Sequence, residues 1–75
     1  MTKQETQDVL EGMVDANGLD EVIDMLSDVC GEKADHISTN WQEEGLAKDW
    51  RKASYYINAV LQYRTINAVS IGHGA

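Results

Sequence analysis

A thiol, an amine and an imidazole stand close together at Cys30, Lys33 and His36. A cysteine beside a histidine is the raw material of thiol catalysis, in which the base takes the proton and the thiolate attacks. The spacing opposes that chemistry. On a helix, the six steps from Cys30 to His36 amount to roughly 9 Å of axial rise, beyond hydrogen-bond reach within one chain. One cysteine and two histidines, His36 and His73, do not make the spacing of a zinc site. No calcium loop, phosphate-binding glycine loop or Ser-His-Asp pattern is present. The sequence points away from an enzyme and implies neither metal nor cofactor.

Charge offers a second kind of chemistry. Residues 1–44 carry twelve acids and two lysines, a net −10, while residues 45–75 carry one acid and four bases, a net +3. Asp20, Asp24, Asp28 and Glu32 follow one another at four-residue steps, with Asp35 alongside. On a helix such carboxylates are about 6 Å apart along the axis. That row suits a basic partner, or imitates a nucleic-acid strand toward a DNA-binding protein; it serves equally as a solvated face. Like charges at this spacing cost a few tenths of a kcal/mol per pair.

Lys33, Asn40 and Arg64 interrupt otherwise apolar helical arcs. A charge in such a place must be paired or reach water. Together with Arg51 they form a candidate anion pocket for a phosphate or carboxylate, which arginine grips with two parallel hydrogen bonds.

These residues need elements to hold them. Seventy-five residues, 43% hydrophobic and 25% charged, suit one globular domain, 1–75. The net charge of −7 opposes direct nucleic-acid binding and an anionic membrane surface. No run of 18 apolar residues occurs, and the opening Met1-Thr2-Lys3-Gln4-Glu5 is polar, unlike a secretion signal. A lone cysteine fits a reducing cytoplasm.

The chain lacks proline, and its apolar residues recur at three- and four-residue steps. This predicts an all-α fold with helices over 3–16, 19–41 and 46–69 and a mobile tail over 70–75. Thr2 or Thr6 caps the first helix, and Asn17-Gly18 ends it. Gly31 is expected on the side of the second helix away from its apolar arc. The second and third helices form a long antiparallel hairpin, with the short first helix across it. Trp41 and Trp50 flank its turn and are expected to pack together as an apolar plug.

Besides its main stripe, the third helix presents Tyr55, Tyr56, Ala59, Tyr63 and Ile66 on a second side. A helix apolar on two sides is buried on two sides. One small chain lacks the material to cover both, so a homodimer or higher oligomer with a four-helix core is expected, with those five residues at the interface.

The segment from Cys30 to Gln42, with Lys33-Ala34, His36 and Asn40-Trp41-Gln42, followed by Ala47-Lys48 and Trp50, resembles a pattern in small bacterial and phage helical proteins of uncharacterised function. The resemblance implies that Lys33, His36, Asn40, Trp41 and Gln42 act as one unit near the turn. The expected function is that of a small acidic, non-enzymatic regulator, adaptor or inhibitor. It would act through contacts with itself and with another protein, in particular a basic or DNA-binding one. The alternatives are a nucleic-acid mimic using the acidic row and a binder of small anions between helices or subunits.

Overall fold

The computed structural model describes residues 1–40 and 43–71. The chain is all-α: α1 spans Lys3–Asn17, α2 Leu19–Asn40, α3 Glu44–Ala59 and α4 Arg64–Ile71, with a 3₁₀ turn, Val60–Gln62, between the last two. Trp41, half of the expected plug, lies outside the described residues, as does the tail from residue 72.

Thr2 starts α1 with a capping box. Its hydroxyl accepts from the Glu5 amide, and the Glu5 carboxylate accepts from the Thr2 amide, each at 3.1 Å. Such a cap stabilises a helix by about 1 kcal/mol. The Thr2 backbone N–H, and after it the Thr2 hydroxyl, hold the Glu5 carboxyl below its ordinary value. The helix stops at Gly18, whose φ of 90° favours a residue without Cβ. No residue of α1 is buried, and α1 approaches α2 alone.

The hairpin is antiparallel, as its cross-links show. Ser38 Oγ donates to Glu44 Oε1 at 2.7 Å near the turn, and Ser27 meets Ser54 at the far end. The two helices touch through small residues. Cys30, Ala34 and Ala47 are buried, the two alanines with 0% exposure. Ser27 Oγ donates to the Ser54 carbonyl at 2.9 Å, and Ser54 Oγ donates to the Ser27 carbonyl at 2.8 Å. This reciprocal pair satisfies both hydroxyls in a place where an unpaired one would cost about 1–3 kcal/mol.

Gly31 belongs to the same seam. A Cβ built on it would meet Ser54 Oγ at 3.7 Å, so it faces α3 and not the far side expected from the wheel. That distance is ordinary van der Waals contact. Gly31→Ala therefore stabilises the fold, by up to about 1 kcal/mol from helix propensity; a urea midpoint that falls instead would show that the seam has no room for a methyl group.

The single helix expected over 46–69 is two helices. Tyr63 is extended, with φ −77° and ψ 130°, and its amide bonds back to the Val60 carbonyl at 3.1 Å. Apolar spacing runs on through the break, which is why periodicity misses it. Its support comes from a polar side chain: Asn67 Nδ2 donates to the carbonyls of Leu61 and Tyr63, at 3.2 and 3.4 Å, replacing the ladder bonds lost at the break. The break lets α4 approach the start of α2, where Ser70 Oγ accepts from the Asp20 amide at 2.9 Å. Ser70 is buried in α4, so the expected mobile tail does not begin at residue 70.

Candidate interaction surface

The molecule is a slab of 45 × 32 × 14 Å. Its radius of gyration is 14.6 Å, against about 11 Å for a compact chain of this length. Its accessible surface is 5722 Å², against about 4,600 Å² for a folded monomer of this mass. The surplus of about 1,100 Å² exceeds the roughly 800 Å² that each partner buries in a standard protein–protein interface.

Exposed apolar side chains occur on α1, at Val9 and Leu10, and on the hairpin. Because α2 and α3 meet through small residues, their large apolar side chains are displaced to the flank of the seam. Leu26, Val29 and Leu46 are 45–50% exposed. Val29, Glu32, Lys33, His36 and Ile37 of α2 and Trp50 of α3 line one open hollow of about 350 Å³. Trp50 also lines a second hollow of about 290 Å³, with Leu46, Asp49 and Ala53. Leu26 stands seven residues before Lys33, on the same strip of α2. One side of the hairpin is thus a mainly apolar surface across both helices, interrupted by Glu32, Lys33, His36 and Asp49.

The other side is charged. Asp28 and Asp35 lie about 160° around α2 from Leu26 and Lys33, and Lys48, Lys52 and Tyr55 lie about 160° around α3 from Leu46, Trp50 and Ala53. Arg51 Nη2 sits 3.6 Å from Asp35 Oδ1, an exposed pair between the acidic and basic strips. Exposed pairs of this kind contribute under about 1 kcal/mol.

The five acids singled out from the sequence do not share one environment. Asp28, Glu32 and Asp35 are exposed, whereas Asp20 and Asp24 are half-buried. Asp20 Oδ1 accepts from the Glu21 amide at 2.8 Å at the start of α2. Nor do the four anion-pocket residues line one cavity. Lys33 is exposed at the first hollow, its Nζ 5.8 Å from the centroid of the Trp50 ring, in cation–π range. Asn40 donates to the carbonyl and Nδ1 of His36, both at 3.0 Å. Arg51 faces Asp35, and Arg64 opens α4, exposed, beyond the break. The expectation that Arg64 points into an apolar arc of the third helix fails because that helix ends before it.

The tyrosines are exposed at 64–71%. Tyr55 and Tyr56 meet edge to face, with ring centroids 5.8 Å apart. Tyr63 and Ile66 do not continue their helical wheel, since α3 ends at Ala59. Ala59 and Ile66 are half-buried within the chain. The open hairpin face is the feature that sequence reasoning missed. Its signal was the small-residue row Ser27, Gly31, Ala34 and Ser38 along α2, which marks where two helix axes come close and large side chains are pushed aside.

Comparison with protein-family models, curated proteins and solved structures finds no match to this chain.

Proposed function

We propose that the protein is a non-enzymatic protein–protein interaction module that works as a homo-oligomer. The observation that carries this reading is the apolar side of the hairpin, where Leu26, Val29 and Leu46 stay 45–50% exposed on a chain whose accessible surface exceeds that of a compact monomer. Stable domains bury the apolar faces of their elements between packed layers, and a hairpin whose apolar side stays open leaves that side to a partner. Cys30 is buried while His36 is exposed, and the two are six residues apart on one helix, an arrangement that gives a thiolate no base. Asp28, Asp35 and the basic strip of α3 lie on the opposite side, free to meet a second protein. Among the described residues no helix is long and apolar enough to cross a membrane, and a lone buried thiol suits the cytoplasm. Native mass spectrometry at micromolar concentration tests the reading: ions at a multiple of the chain mass support it, and the single-chain ion alone defeats it.

One observation favours a second reading, a small anionic ligand. The first hollow combines a cation, Lys33, with an indole face, Trp50, and an imidazole, His36. A thermal-shift series with inorganic phosphate, nucleotides and aromatic carboxylates separates the two. A midpoint that climbs with ligand concentration supports the site, and a flat series removes it.

A further inference from the structure

We propose that the apolar side of the hairpin, carrying Leu26, Val29, Ile37, Leu46, Trp50 and Ala53, is the seam on which a second copy of this chain docks face to face, and that the exposed tyrosines lie outside it. This rests on the homo-oligomer reading and names its surface. Three observations select a second copy as the occupant.

The first is area. The chain as a whole exposes about 1,100 Å² more than a compact monomer of its mass, and on this side Leu26, Val29 and Leu46 are 45–50% exposed. The hairpin also supplies its two helices as one layer, so two copies complete a two-layer, four-helix core without further material.

The second is charge. The chain carries −7 overall, so copies repel unless their acids are kept apart. The exposed acids Asp28 and Asp35 lie on the far side of α2 from this face. The charges that line the hollows are of both signs, Glu32 and Lys33 at the first and Asp49 at the second. A face-to-face pair therefore turns Asp28 and Asp35 outward and sets Glu32 and Asp49 of one copy where they can meet Lys33 of the other.

The third is shape. The two hollows adjoin one another through Trp50, and the protruding Leu26, Val29 and Leu46 supply apolar side chains of the size that fills such hollows when helices interdigitate. The tyrosines lack this continuity. Tyr55 stands about 160° around α3 from Ala53, and Tyr63 lies past the helix break.

The test compares full-length variants by sedimentation velocity over a concentration series, with far-UV circular dichroism as the check on folding. Val29→Glu and Leu46→Glu place a carboxylate at half-exposed positions that the single chain keeps wet, so the helical signal is retained. Each is expected to raise the dimer dissociation constant at least about 100-fold, because the docked face would bury an unpaired charge. Tyr63→Glu is expected to leave it within about threefold. A second measurement uses a Trp41→Phe background, in which Trp50 is the only indole: its emission shifts to longer wavelength on dilution through the dissociation range if Trp50 lies in the seam. A wild-type chain that sediments as a monomer overturns the homo-oligomer reading and the seam with it. A wild-type oligomer that Tyr63→Glu dissociates, while Val29→Glu and Leu46→Glu do not, overturns the seam alone. Retained assembly of all three variants, or unshifted Trp50 emission during dissociation, does the same.

Discussion

Ala34→Leu should lower the stability of the protein by about 1–3 kcal/mol or more, the range for forcing extra methylenes into closely packed space. Ala34 has no exposed surface, and the reciprocal Ser27–Ser54 bonds between α2 and α3 are two turns away. A leucine there must either spread the helices or leave its rotamer well. Spreading would also strip the two serines of their partners, which adds the cost of unsatisfied buried hydroxyls. Marginal stability makes this a large fraction of the whole, since about 0.05–0.15 kcal/mol per residue is typical. Ala68→Leu, on the exposed side of α4, should change stability by less than about 0.5 kcal/mol. Urea unfolding with an unchanged slope checks both. Equal midpoints for the two variants would show that the seam is not the tight contact described here.

Much of this architecture is legible in the residues, and the limits have physical causes. Thr2 three residues before Glu5 is a capping signature, and Asn17-Gly18 is a stop signal; both operate locally, so α1 and the start of α2 lie where the sequence places them. The break at Tyr63 is not local in this sense. It contains neither glycine nor proline, and the helical spacing of apolar residues passes straight through it. Asn67 supplies the side-chain amide that makes the break tolerable, and Ser70 reaches the α2 amide that rewards it. Both are ordinary polar residues whose roles exist only once three elements are assembled.

The candidate surface was half legible. Periodicity assigns Leu26, Val29, Leu46 and Trp50 to apolar arcs, yet an arc of about 140° is wider than one helix contact. It does not say which part meets α3 and which part lies open. Side-chain size decides that. Ser27, Gly31, Ala34 and Ala47 allow close approach and therefore take the seam, leaving the larger residues beside it. The tyrosine side was assigned on a helix taken as continuous to residue 69, and that continuity ends at Ala59.

The proposed assembly has a large thermodynamic consequence. If folding and association are coupled, the thermal midpoint must depend on protein concentration. A hundredfold dilution removes about 2.7 kcal/mol per dimer at 25 °C, hence about 1.4 kcal/mol per chain. For a domain of this size that corresponds to a drop in midpoint of roughly 6–11 °C. A monomer whose exposed apolar face is simply tolerated shows no such dependence. Circular dichroism melts at about 1 and 100 μM separate the two cases, and Val29→Glu should abolish the dependence while leaving a lower, fixed midpoint. A midpoint that is the same at both concentrations for the wild-type chain would contradict coupled assembly.

Sedimentation equilibrium of the wild-type protein is the most direct test of whether one chain can satisfy its own surface. The account requires a mass of at least twice the chain's 8.3 kDa at micromolar concentration, falling toward the single-chain value only on strong dilution. A well-folded species holding at 8.3 kDa across the whole range would contradict it.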